Sequence, residues 1–517
     1  MNSFHSNRIA PLLRTYRNGV FILLLLVVYG FLDYQRILFL HPQGIHFIRQ
    51  SDSLSFVRYY VNHGMHFFEP GVYSLLSTEG KAACEFPILY YLTACLYKLF
   101  GEHEFILRLL NTAIVSFGFF SLFRLLILLI KDIFYSFVFT FLFLSSTILL
   151  YYTNNYLPDA PALGFALAGW YYSWLYFLDR AKSCSLLAGF LFFALASLLK
   201  VTFCINPASF LMTVIASDII QGKRILPVLT SNKKILLYFS LTLLMVIAWN
   251  AYAILYNARN NDTYFLLNTR AIWDMDKAGI SSVFDYISNY WYSKYYYQST
   301  LHFLGILIVL GLVLIRSADR LVLLISSFMG AGSILYFLLF FEQFRNHDYY
   351  FIALIPGIVF VVTSAFIAIG KRFPHFIKGW VVRSAILLLC LLSLKYAGEK
   401  LSQRYETEND LFSVIGNKLE GTKDYLDEIG VDKDKKVVLV TDLTPNGGLY
   451  FIDRCGWNLR DTSELSVQYL RNYIRQGADY ILLTDRNYLN SKDLYNNLGR
   501  KAGEKNNILV FRTRHSN

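Results

Sequence analysis

Apolar residues in this chain come in long unbroken runs, not in the alternating or 3.6-residue pattern of a soluble protein. The first run, GVFILLLLVVYGFLDYQRILFL, has about 20 residues and can cross a bilayer. Further spanning runs are read at about 105–130, 133–153, 160–178, 185–203, 207–220, 235–256, 301–315, 321–341, 349–369 and 379–397. Together they predict about eleven transmembrane helices. Residues 86–100, FPILYYLTACLYKLF, are apolar but short, and predict a helix lying at the membrane surface. The pattern changes after residue 397. The tail predicts a helix near 408–429, a strand at 437–441, a helix near 464–476, a strand at 479–484 and a last strand at 508–513. The expected fold class is therefore a polytopic α-helical membrane protein, 1–397, with a small C-terminal α/β extracytoplasmic domain, 398–517.

Composition agrees with this reading. Hydrophobic residues make up 55% of the chain and charged residues 16%, with a mean hydropathy of +0.40. A soluble protein of 517 residues rarely carries so few charges. The net charge of +12 does not point to nucleic acid, because the basic residues punctuate the apolar runs and form no patch. Arg8, Arg14, Arg17, Lys131, Arg180, Lys182, Lys223, Arg224, Lys233, Lys234, Arg316, Arg320, Lys371, Arg372 and Lys378 all fall in segments assigned to the cytoplasm. The short outer loops at 154–158, 204–206 and 342–348 hold only Arg345. This asymmetry places the N-terminus in the cytoplasm and the loops at 41–104 and 257–299, with the tail, outside. The six cysteines show no CxxC pair and read as small buried hydrophobes.

Candidate chemistry gathers on the outer side. Asp52 follows the first span and could accept a proton from an attacking hydroxyl or amine; the plainer reading is a helix cap in SDS. Glu85, before FPILYY, could orient an acceptor or merely favour a helix N-terminus. Asp159 in YLPDAP sits at a span edge, where capping after Pro158 is the plain alternative. Lys200 in ASLLKVTF could stabilise a phosphate or snorkel to the headgroups. Arg345, His347 and Tyr349 in FEQFRNHDYYFIALIP could grip a lipid phosphate or serve as an interfacial anchor. TPNGGLY reads as a turn, and no nucleotide-binding motif is present.

The order of these motifs resembles the GT-C superfamily of polytopic glycosyltransferases. It is most similar to glycosyltransferase family 39, the protein O-mannosyltransferases and the lipid A aminoarabinose transferases. The resemblance covers roughly residues 15–370. It rests on one span followed by Asp52, then Glu85-Phe86-Pro87 leading into ILYYLTACLYKLFG, Arg108-Leu109, YLPDAP, LLKVT and HDYYFIALIP. It implies Asp52 as the catalytic acid-base residue and Glu85 as a shaper of the donor and acceptor site. It also implies a polyprenyl-phosphate-linked sugar donor, with phosphate contacts from Lys200, Arg345 and His347. Relatives often carry a lysine where this chain has Phe86, which leaves Lys81 or Arg58 to take its place. The acceptor would be a lipid, glycan or protein, and the location a bacterial inner membrane with a periplasmic active site. No cofactor is implied with certainty, and a divalent metal is left open. The alternatives are a glycan polymerase or ligase using a diphospholipid-linked oligosaccharide, and a lipid or sugar transporter. Transporters tend to carry inverted repeats and mid-membrane polar residues, and no repeat is visible.

Overall fold

The computed structural model describes residues 6–179, 182–265, 269–406, 410–461 and 463–514. Arg180 and the start of the stretch expected as helix near 408–429 lie outside the described residues. Each of the eleven apolar runs falls on helix. The helices are Ser6–Phe31, Phe105–Ile130, Ile133–Leu144 with Thr147–Thr153, Asp159–Leu178, Ser183–Leu199, Val201–Ile220, Lys233–Arg259, Gln298–Val313, Arg320–Leu339, Asp348–Arg372 and Trp380–Arg404. Among the described residues six are long and apolar enough to cross a membrane. The number rises to eight if two bent pairs each count as one span. One pair, Ile133–Leu144 with Thr147–Thr153, bends by 79°, and the other, Lys277–Tyr295 with Gln298–Val313, by 100°. The figure of about eleven adds Ser6–Phe31, Asp159–Leu178 and Ser183–Leu199. The short run expected at the membrane surface is the 13-residue helix Ile88–Phe100. At 1.5 Å per residue it is about 20 Å long, against about 30 Å of bilayer core.

The chain divides into two compact units. One is Met1–Leu38, Arg108–Trp249 and Asn268–Leu401; the other is Phe39–Leu107, Asn250–Leu267 and Ser402–Asn517. The first is helical. Its core centres on Trp170, whose ring meets Phe193, Phe210 and Phe360 edge-on. The buried indole N–H donates to Asn206 Oδ1 at 2.8 Å. Small residues let its helices touch: a Cβ on Gly164 would lie 2.7 Å from the carbonyl oxygen of Ile114. In a bilayer such contacts replace the hydrophobic drive that lipid cannot supply.

The second unit joins the first loop to the tail. Helix Phe47–Asn62 runs through it with eleven of its sixteen residues buried. Serines inside the helix satisfy themselves on the preceding turn, as Ser53 Oγ does on the Arg49 carbonyl. The tail forms a five-stranded sheet in the order β2-β1-β3-β5-β4. The strands are β1 Val437–Val440, β2 Gly456–Leu459, β3 Tyr480–Leu483, β4 Arg500–Lys505 and β5 Ile508–Arg512. β1 is parallel to β2 and β3, and β5 is antiparallel to β3 and β4. The expected strands at 437–441, 479–484 and 508–513 and the helix near 464–476 are all present, the last as Glu464–Arg475. The described part of the 408–429 helix is two short helices, Val414–Lys418 and Thr422–Glu428, parted at Gly421 with φ +69°. Beyond β2, the first loop adds its own backbone: Leu75 N donates to Gly456 O and Gly456 N to Tyr73 O, at 2.7 and 3.0 Å. All six cysteines are free, and Cys390 alone is buried, while Cys184 is exposed.

Candidate active site

Asp52 lies inside helix Phe47–Asn62, a turn and a half past its start, so it does not cap that helix. It is fully buried. Arg49, three residues earlier and on the same face, brings its guanidinium to 3.8 Å from Asp52 Oδ2. The same guanidinium donates to both oxygens of Glu85 at 3.0 Å. Glu85 also accepts from the Tyr90 hydroxyl and the Cys84 thiol. Glu85 is thus engaged by Arg49 and is not a helix-terminus acid. Two contacts reach Asp52 from far along the chain. Tyr264 donates its hydroxyl to Oδ2 at 2.8 Å, and Asn446 donates its amide to Oδ1 at 3.3 Å.

Burial pushes the Asp52 carboxyl up to about 6, against the pull of Arg49 and of the hydrogen bonds from Tyr264 and Asn446. At neutral pH the group is mostly ionised yet more basic than an exposed aspartate. That is the property a general base needs.

Asn446 is delivered by the loop between β1 and helix Gly447–Ile452. Asp442 braces that loop, accepting from Thr444 N, Thr444 Oγ1, Gly448 N and Asn458 Nδ2, all within 2.8–2.9 Å. A Cβ on Gly447 would run into the ring of Phe47 at 2.5 Å. TPNGGLY, read above as a turn, is a bend that becomes a helix at Gly447. Its glycines permit close approach of backbone.

The other candidates fall in two groups. Arg58 is enclosed by acids, Glu102 at 3.8 Å and Glu104 and Asp453 at 4.0 Å, and lies 4.3 Å over the Tyr450 ring. Lys81 pairs with Glu79 at 3.0 Å. In the helical unit, Lys200 Nζ lies 3.4 Å from Asp159 Oδ1 and 5.4 Å from the centre of the Tyr349 ring. Asp159 opens its helix directly after Pro158. His347 packs its ring against Tyr349 and Tyr350, and Arg345 is exposed. The structure therefore brings Asp159, Lys200, His347 and Tyr349 together. No group of three or more His, Cys, Asp or Glu among the described residues is placed to hold a metal ion.

No protein-family model matches the chain, and no curated protein matches its sequence. Solved structures do. ArnT from Cupriavidus metallidurans in the apo state aligns with a TM-score of 0.59 at 12% identity, over 96% of this chain and 98% of that one. The same protein bound to undecaprenyl phosphate gives 0.60 at 11% identity, over 96% and 98%. The Archaeoglobus fulgidus oligosaccharyltransferase in the apo form gives 0.51 at 11% identity, over 85% and 66%. This chain has the GT-C fold. The alignment with ArnT runs through both compact units, so the tail belongs to the shared fold.

Arg49, Tyr264 and Asn446 were missed by reading the sequence. Arg49 had a local signal, RxxD at helical spacing on a stretch that buries its whole circumference. Tyr264 and Asn446 lie 212 and 394 positions from Asp52 and had none.

Proposed function

We propose that this chain is an integral membrane glycosyltransferase acting at the periplasmic face of a bacterial inner membrane. It moves a sugar from a polyprenyl-phosphate-linked donor to an acceptor hydroxyl or amine. The observation that carries the proposal is Asp52, a fully buried carboxylate beside the Arg49 guanidinium and held by Tyr264 and Asn446. The GT-C fold supports it, since ArnT was solved with undecaprenyl phosphate.

Asp52 takes the acceptor proton as the acceptor attacks the anomeric carbon. The bond from that carbon to the phosphate oxygen breaks, and the lipid phosphate leaves. Arg49 keeps Asp52 ionised, and Glu85 holds Arg49 in place from its other side. The group of Lys200, His347 and Tyr349, with Arg345, is the proposed contact for the lipid phosphate, whose charge grows as the bond breaks.

The test is release of polyprenyl phosphate from radiolabelled polyprenyl-phosphate sugars in membranes. Asp52→Asn keeps the shape and removes the base. Loss of turnover in that variant, with insertion and folding intact, supports the proposal. Equal turnover in both removes Asp52 as base, and no turnover with any lipid donor removes the enzyme reading.

A further inference from the structure

The compact unit that carries Asp52 also contains an open groove of about 890 Å³. That is within the ~300–1,000 Å³ of ordinary ligand sites. One wall is the end of helix Phe47–Asn62 with residues 73–79; the other is the sheet domain around Lys433, Asp453, Trp457 and Gln476. We infer that this groove binds a neutral, hydroxyl-rich saccharide, the sugar portion of the acceptor.

Three features of the lining select that chemistry. First, the charges nearly balance: Glu79, Asp434 and Asp453 face Lys433 and Lys436. Each acid already has a cation, Lys81 at 3.0 Å from Glu79, Lys435 at 3.3 Å from Asp434 and Lys433 at 2.9 Å from Asp453. The lining carries three acids against two lysines and gathers no cluster of cations of the kind that grips a phosphate. Second, the polar lining is rich in groups that meet hydroxyls, namely Asn62, Ser77, Thr78, Asn261 and Gln476. A sugar hydroxyl both donates and accepts, so amides and hydroxyls answer it in either sense. Third, Tyr59, Tyr73, Leu75, Leu76 and Trp457 set apolar surface among these polar groups, and the exposed His63 ring stacks on Tyr59 at 3.9 Å. Such surface suits the C–H faces of a pyranose.

Hydrogen bonds link the groove wall to Asp52. Tyr73 lines it, and Tyr73 N donates to Asn446 Oδ1 at 3.0 Å. Asn446 in turn donates to Asp52. One side chain separates the groove wall from the carboxylate. Along the helix, Tyr59 lies seven residues past Asp52, about 10 Å at 1.5 Å per residue.

The identity of the ligand as acceptor rests on the proposed transfer; the binding itself does not. The experiment uses the full chain in lipid nanodiscs. Neutral hexose and N-acetylhexosamine oligosaccharides, and the same oligosaccharides phosphorylated, are added at millimolar concentration. Binding is read by saturation-transfer NMR, and its place by hydrogen exchange at residues 75–79 and 433–436. At least one neutral oligosaccharide should bind and protect both segments, with its phosphorylated form weaker. Asn62→Ala with Gln476→Ala, both at exposed positions, should weaken binding about tenfold through two lost hydrogen bonds. The inference is overturned if no neutral oligosaccharide binds, if phosphorylated forms bind as well or better, or if the double variant binds unchanged. Saccharide binding without any sugar transfer would instead sink the proposed function and leave the groove standing.

Discussion

Replacing Asn446 by alanine tests whether the tail takes part in the chemistry. Asn446 is buried and makes three contacts: Asp52 Oδ1 at 3.3 Å, Ser55 Oγ at 2.6 Å and Tyr73 N at 3.0 Å. Two neutral hydrogen bonds at about 0.5–1.5 kcal/mol each and one to a charged group at about 1.5–3 bracket the loss. The contact to Asp52 is long, so the low end applies, about 2.5 kcal/mol. Part of this falls on the ionised form of Asp52, because the Asn446 hydrogen bond lowers its pKa. The base must be deprotonated to act. Wild-type kcat/KM should therefore rise with pH through about 6 and level off above it. With a pKa near 6, about nine-tenths of Asp52 is ionised at pH 7, and each unit of upward shift corresponds to about 1.4 kcal/mol. In Asn446→Ala the acid limb should move above 6, so activity at pH 6 falls further than activity at pH 8. The assay is release of radiolabelled lipid phosphate across pH, with Asn446→Gln as the conservative partner. A wild-type limb near 4, or identical limbs in wild type and Asn446→Ala, would refute the reasoning.

Arg49→Ala should cost about 3–5 kcal/mol, because it leaves Glu85 and Asp52 buried with no cation between them; the midpoint of denaturant unfolding in detergent measures it, and no change would show that the pair is solvated. Lys200→Ala should weaken binding of undecaprenyl phosphate about tenfold, through the loss of one charge-assisted contact, measured by native mass spectrometry; unchanged affinity would remove Lys200 from the phosphate site. Arg58→Met should lower stability without altering that affinity, since Glu102, Glu104 and Asp453 already surround the guanidinium; a weakened lipid phosphate would place Arg58 in the donor site after all. Gly164→Leu should prevent helix packing, because even a Cβ meets the Ile114 backbone at 2.7 Å; recovery of a monodisperse protein in detergent would show that the helices can part.

The membrane helices were legible because their signal is local: a run of apolar side chains marks a span whatever it packs against. Asp52 could be singled out as a candidate for a similar reason, being an acid close behind a span. The rest of the site was not. A polar strand such as β4, RKAGEK, sits at the edge of its sheet and lacks the alternation by which strands are read. Asn446 lies in a segment whose composition says only turn, and its use is set by Asp442 and by the Phe47 ring against Gly447. The meaning of Arg58 also depends on its neighbours. On the sequence it was one more cation on the outer side, and in the fold three acids close around it.

The strand-like addition of Tyr73–Leu75 beyond β2 bears on how the protein is made. Trp457 and Leu75 meet across 382 positions of sequence, and Asp52 and Asn446 across 394. Asp52 is made before most of the helices, and its amide partner 394 residues after it. Contacts of such separation form late, after the intervening chain is in place. A chain cut short in the tail can insert its helices and still lack the partners of its carboxylate. The surroundings of Asp52 are thereby complete only once Asn446 has been made.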